Sequence, residues 1–176
     1  MQMDVYGTYC EKVVGVSREK FFNAGLLLMN CHAWRECCVL DEFMKHLGAY
    51  NFIVTQDEDY LNVICKDKTL LLDQHWNTEI TAGIKYNYPE REAYVLHYIM
   101  VNKPWHYTDC VCGDIFWRYA SETSLYGELR AELDAYTDEQ RERDKLSGEN
   151  LAQMARDEIA REDNFLNRIT NPEKFN

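Results

Sequence analysis

The sequence predicts an α/β layer fold: a mixed sheet flanked by helices, closed by a charged helical tail. Three observations carry that reading. Short apolar runs recur at Leu26-Leu27-Leu28-Met29, Leu70-Leu71-Leu72 and Tyr94-Val95-Leu96-His97-Tyr98, as strands buried on both faces do. Segments with apolar residues three and four apart stand between them. Beyond residue 121 the chain turns polar, with charges of both signs and few apolar positions.

Residues 1–20 form a mixed approach, in which Val13 and Val14 suit the start of a strand and Gly15, Ser17 and Arg18 suit a turn. The 26–29 run is the first strand candidate. A helix is expected over 33–47, because Trp34, Cys37, Cys38, Phe43, Met44 and Leu47 fall on one face. Gly48 stands where a glycine stop belongs. Residues 51–55 read as extended. Asp57 is placed to cap a helix that carries Tyr60, Leu61 and Ile64. Residues 70–72 and 94–98 are the second and third strand candidates. Helix returns from Asp114 through Tyr136. Residues 137–161 read as a helical tail with Leu146, Leu151, Met154 and Ile159 as sparse apolar positions, and 164–176 are expected to fray. Trp34 and Trp76 are expected in the core. The division that follows is 1–120 for the main domain and 121–176 for the tail.

The chain has 176 residues, 19 Lys plus Arg against 30 Asp plus Glu, and a formal net charge of −11. Such an acidic surface repels phosphate backbones and anionic headgroups, so no nucleic-acid partner is expected. No apolar run approaches the roughly 20 residues of a membrane helix, so no transmembrane segment is expected either. The first residues lack the basic-then-apolar layout of a signal peptide. Seven cysteines, an odd number, then point to free thiols and a cytoplasmic location. Cys110-Val111-Cys112 and Cys37-Cys38 lack the spacing of a zinc half-site, and core packing is the better account of Cys37 and Cys38.

The eight glycines never come closer than eight residues apart, which removes the clustered glycines of a dinucleotide fingerprint or a P-loop. Ser17, Ser121, Ser124 and Ser147 lie in no nucleophile elbow. Three segments remain. The first is Phe22-Asn23-Ala24-Gly25-Leu26-Leu27-Leu28-Met29-Asn30 with Trp34-Arg35. The second is Gln56-Asp57-Glu58-Asp59-Tyr60-Leu61-Asn62 with Leu71-Leu72-Asp73 and Trp76-Asn77. The third is His97-Tyr98 with Lys103-Pro104-Trp105. In order, spacing and content they resemble the C-terminal half of the family 8 glycosyltransferases, the glycogenin and bacterial lipopolysaccharide-hexosyltransferase type, over roughly residues 20–120.

The resemblance implies a partial GT-A fold, with 1–120 as its acceptor-side part. It implies retaining hexosyl transfer from a UDP-sugar donor to a saccharide or lipopolysaccharide-type acceptor, with Mn²⁺ or Mg²⁺. It also assigns roles. His97 matches the histidine that ligates the metal beside two aspartates, and Lys103 the lysine on the donor phosphates. Asn23 and Gly25 match the sugar-side floor. Asp57 matches the carboxylate on the transferred sugar or acceptor. Glu58 falls where many members carry Gln, on the face assigned to a nucleophile or charge stabiliser. The residue types suit the chemistry: negative charge develops on the leaving diphosphate and positive charge on the sugar, so cations serve the first and carboxylates the second. Asp57-Glu58-Asp59 also reads as an acidic first turn facing a helix dipole, or as a literal D-x-D metal motif.

Two departures from the family pattern set further expectations. The family has a glycine between the His and the Lys; here the loop is Tyr98-Ile99-Met100-Val101-Asn102, and Met100 is expected to crowd the phosphates. The nucleotide-binding half, with its D-x-D ligands, precedes the Phe-Asn-Ala-Gly segment in the family, and this chain starts 21 residues before Phe22. The expectation is a truncated chain with an uncovered sheet edge prone to self-association. The alternative is an inactive fragment or interaction protein with no catalysis.

Overall fold

The computed structural model describes residues 4–80 and 93–175. It divides into two compact units, Met1–Leu71 with Gly148–Asn176, and Leu72–Ser147. In chain order the helices are α1 (Val5–Tyr9), α2 (Cys31–Glu36), α3 (Val39–Ala49), α4 (Asp57–Ile64), α5 (Gly113–Ala120), α6 (Tyr126–Ala135), α7 (Asp138–Ala160), α8 (Phe165–Thr170) and α9 (Pro172–Phe175). The strands are β1 (Thr78–Ile80) and β2 (Leu96–Tyr98). No helix among the described residues is long and apolar enough to cross a membrane.

In the first unit, Asp4 caps α1 by accepting from the Gly7 N–H at 3.1 Å. The chain continues as a π-helical turn, Cys10–Val14, that Gly15 ends in the left-handed region at φ 80°. The turn predicted at Gly15 is therefore present, but Val13 and Val14 are helical rather than the start of a strand, and both are buried. They join Tyr9, Val16, Tyr50, Phe52, Val54, Tyr60, Ala155 and Phe165 in one core. Phe52 is its hub, with ring centroids 4.9 Å from Tyr60, 4.9 Å from Phe165 and 5.1 Å from Tyr50. Each such pair adds about 1 kcal/mol beyond the area it buries.

Several expectations fail in this unit for one reason: an apolar pattern reports what a segment would bury, not what is there to bury it. Residues 26–29 and 70–72 are not strands. Leu28 is 90% exposed and Leu70 85%, and neither run lies in a sheet among the described residues. The helix expected over 33–47 is two helices. It breaks at Cys37 and Cys38, where Cys38 adopts φ 50°, and both cysteines are exposed rather than packed in the core. Gly48 lies inside α3, which ends at Ala49. The C-terminal segment is ordered, because Asn164 caps α8 by accepting from the Asn167 N–H at 3.0 Å and Phe165 is buried in the core.

The second unit carries the sheet. Among the described residues it is two parallel strands, not a mixed sheet, with Thr78 opposite Leu96, Glu79 opposite His97 and Ile80 opposite Tyr98. A 3₁₀ turn, Gln74–Asn77, leads into β1. Tyr98 donates to the Cys112 carbonyl, and Phe116 of α5 packs on Tyr98 and Trp105 at 6.0 and 5.1 Å. Asp144 accepts from the hydroxyls of Tyr107 at 2.8 Å and Tyr136 at 2.6 Å. Trp76 is 47% exposed and so is not the core residue expected. The molecule is helix-dominated with a small parallel sheet, compatible with the α/β class.

Candidate active site

Four of the six candidate residues belong to the first unit. Gln56 precedes α4 at φ 55°, and this turn delivers Asp57, Glu58 and Asp59 as the first residues of the helix. Asp57 is thus inside the helix and not its cap. The three carboxylates have separate fates. Asp57 is exposed, and its side chain makes no hydrogen bond among the described residues. Asp59 is fully buried, accepting from the Tyr9 hydroxyl at 2.8 Å, the Thr55 hydroxyl at 2.6 Å and the Thr55 N–H at 3.1 Å. Burial pushes its carboxyl above the usual carboxylate range, and those donors pull it back only in part. Glu58 is half-buried and accepts from the Ala24 N–H at 2.7 Å.

That contact joins the first motif to the second. Asn62, four residues on from Glu58 and on the same helix face, completes the join. Its Oδ1 accepts from the Phe22 N–H at 3.0 Å and its Nδ2 donates to the Phe22 carbonyl at 2.9 Å. Nδ2 also donates to the Glu58 carbonyl at 2.9 Å, so this buried amide is satisfied on both sides. Asn23 Oδ1 then accepts from the Gly25 N–H at 2.8 Å and shapes the turn. The structure therefore brings Asn23, Gly25 and Glu58 together, with Asn62 as the positioning residue. Sequence reasoning had not assigned Asn62 a role, although its spacing from Glu58 was the available signal.

His97 and Lys103 belong to the second unit. His97 lies in β2, and its Nδ1 faces Oδ1 of Asn77 at 3.0 Å. With the amide oxygen as acceptor, this contact suits the tautomer that carries its proton on Nδ1, which would leave a lone pair on Nε2. Burial, and then the charge of Lys103, holds the imidazole below its ordinary value, while Glu79 opposes that shift. Lys103 donates to the Tyr98 carbonyl and stands 6.0 Å from the Trp105 ring centroid. It has no carboxylate partner among the described residues, and burial lowers its ammonium below the ordinary value. Between them Met100 adopts φ 55°, and its side chain is 47% exposed. A methionine therefore occupies a conformation that favours glycine, at the loop where the resemblance leads one to expect a glycine.

A metal ligand of the imidazole type needs a neutral ring with one nitrogen held by an outer partner, and His97 with Asn77 meets that requirement. Among the described residues no three His, Cys, Asp or Glu side chains gather as a metal site.

The model of glycosyl transferase family 8 matches residues 10–109. Among curated proteins, a Haemophilus influenzae protein whose name carries the word glycosyltransferase is 29% identical over 123 residues, covering 64% of this chain and 37% of that one. The lipopolysaccharide glucosyltransferase WaaO of Escherichia coli is 30% identical over 106 residues, covering 53% of this chain and 30% of its own. The lipopolysaccharide 1,3-galactosyltransferase of Salmonella typhimurium is 29% identical over 94 residues, covering 49% and 28%. The matched part is thus about a third of each relative's length. No solved structure matches the chain.

Proposed function

The chain belongs to glycosyl transferase family 8, and from that premise we propose that it supplies the acceptor-side part of a GT-A domain, residues 1–120 with a helical tail over 121–176. In this reading it serves retaining hexosyl transfer from a UDP-sugar to a saccharide acceptor of lipopolysaccharide type, in the cytoplasm. The observation that carries it is the joining of the Asn23–Gly25 turn to Glu58 at 2.7 Å through Ala24, inside the family match.

The reaction breaks the bond between the anomeric carbon and the diphosphate oxygen and forms a new one to an acceptor hydroxyl on the same face. The hydroxyl proton leaves with the UDP. Lys103 stabilises the charge gathering on the diphosphate. Glu58 and Asp57 stabilise the positive charge on the sugar ring; Glu58 is held by the Ala24 N–H and Asp57 is open to solvent. Asn23 and Gly25 floor the sugar pocket. His97, fixed by Asn77, offers Nε2 to a divalent ion. When bound, Mn²⁺ or Mg²⁺ supplies Lewis-acid stabilisation of the diphosphate. In the family pattern the carboxylates that would join His97 on such an ion belong to a D-x-D motif.

A second reading keeps the family and drops the catalysis: an interaction protein that self-associates through uncovered apolar runs. Leu28 at 90% exposure, Leu70 at 85% and the Met100 backbone favour it. Calorimetry of UDP with Mn²⁺ into the chain separates the two. Metal-dependent binding in the micromolar range, lost in His97→Ala and Lys103→Ala, supports transfer. Absence of heat, together with a concentration-dependent rise in mass by light scattering, supports the second reading.

A further inference from the structure

We infer that Trp76 and Tyr94 form a stacking platform for a neutral pyranose of the saccharide acceptor, one turn of chain away from His97. The inference rests on the transfer reading and adds to it the subsite that receives the sugar.

Both side chains are large, aromatic and open. Tyr94 is 66% exposed and Trp76 47%, with ring centroids 4.9 Å apart and planes inclined at 56°. The tilt makes a shallow open corner rather than a closed stack. The position is set by backbone. Asp73 caps the 3₁₀ turn by accepting from the His75 N–H at 3.0 Å, and the Trp76 N–H donates to the Asp73 carbonyl at 3.0 Å. The His75 carbonyl accepts from the N–H groups of Tyr94 at 2.8 Å and Val95 at 3.1 Å, so the two aromatic residues are carried side by side into β1 and β2. Asn77, the next residue after Trp76, is the group that fixes the His97 ring. The platform and the candidate metal ligand therefore share one short turn.

The chemistry fits a sugar and not a nucleotide. A pyranose presents an apolar face of C–H groups that packs on an aromatic face, and its hydroxyls take hydrogen bonds at the rim. Among the described residues the Trp76 indole N–H and the Tyr94 hydroxyl make no hydrogen bond, so both polar handles are open to a hydroxyl. Asp73, a carboxylate exposed at 65%, stands beside the platform in contact with His75. That negative charge accepts from sugar hydroxyls and repels a diphosphate, which assigns the corner to the neutral acceptor rather than to the donor.

The test uses the full chain with maltotriose and lactose as probes, read by saturation-transfer NMR and tryptophan fluorescence. The expected result is millimolar binding of at least one probe. Either Trp76→Ala or Tyr94→Ala weakens it by about fivefold to tenfold, the scale of one aromatic contact, while Tyr94→Phe keeps it within about twofold. Both residues are exposed, Trp76 at 47% and Tyr94 at 66%, so the variants are expected to retain the fold, which circular dichroism checks. Absence of binding to either probe, or undiminished binding in the double alanine variant, overturns the inference. So does loss of a concentration-dependent dimer in Trp76→Ala without any saccharide signal. A parallel titration with UDP-glucose and Mn²⁺ keeps the readings apart. Saccharide binding that depends on Trp76 without UDP-glucose binding leaves the platform standing and removes the donor site. UDP-glucose binding that depends on Trp76 removes the acceptor assignment.

Discussion

The backbone N–H of Ala24 donates to Oε2 of Glu58 across 2.7 Å, tying the turn at Asn23 and Gly25 to the first turn of α4. This is a charge-assisted hydrogen bond from a part-buried amide. Glu58→Ala removes the acceptor and is expected to cost about 1–2 kcal/mol in urea unfolding. Hydrogen exchange at the Ala24 amide should accelerate by about tenfold or more. Glu58→Gln keeps an acceptor oxygen and should recover most of the protection. An unchanged Ala24 exchange rate in the alanine variant would show that the tie does not hold the turn.

Asp59 gives stability a definite pH dependence. Its folded carboxyl titrates above the unfolded value of about 3.8 because it is buried, so between those two values the folded chain holds more protons than the unfolded chain. Its contribution therefore improves as pH falls through the raised folded value and levels off below about 3.8. Asp163 runs the other way. Arg161 and Arg168 hold it at about 2, so its contribution is present above about 3.8 and is lost as pH falls towards 2. Urea unfolding of wild type and Asp59→Asn from pH 4 to 7 should give a stability difference that depends on pH. Asn also meets three donors with one acceptor oxygen, so this variant should be less stable by about 1–3 kcal/mol.

The His97 ring should respond to Lys103. Removing that ammonium in Lys103→Ala removes the second cause of the lowered imidazole value, and the titration midpoint should rise towards the ordinary value of about 6.5. Burial remains, so the recovery should be partial. The Hε1 resonance of His97, followed by NMR from pH 4 to 8, reads the shift. A midpoint unmoved by the substitution would separate the two residues electrostatically.

Met100→Gly relieves a left-handed backbone at φ 55° but loosens the unfolded chain, and the two effects oppose each other. Thermal unfolding should change by less than about 1 kcal/mol. Met100→Val places a β-branched residue in the same conformation and should destabilise by roughly 1–2 kcal/mol. If the transfer reading holds, the glycine variant should also bind UDP with Mn²⁺ more tightly, because the thioether no longer competes for the loop.

The chemistry-bearing segments were more legible than the fold. The family resemblance is borne out by the match over residues 10–109, while the roles it gives Asn23, Gly25, Asp57, Glu58, His97 and Lys103 are proposals; the helices at 113–120, 126–135 and 138–160 follow from periodicity and polarity. The apolar runs at 26–29 and 70–72 were misread because a strand buried on both faces needs neighbours on both sides, and sequence does not say whether they exist. The break at Cys38 was invisible for another reason. A left-handed φ at a cysteine is decided by packing around it, not by any propensity of its own. Asn62 was missed because a buried amide reads as a polar surface residue until its partners, here the backbone of Phe22, are known.

Leu28 and Leu70, bare to water on the first unit, also bear on the life of this polypeptide in a cell. Chaperones and proteases recognise exposed leucine-rich, extended stretches as the mark of an unfinished protein. A chain that displays two of them in its folded state is expected to be a substrate for that machinery even when its core is intact, so its abundance should respond to whatever covers those stretches and not to the free energy of unfolding alone.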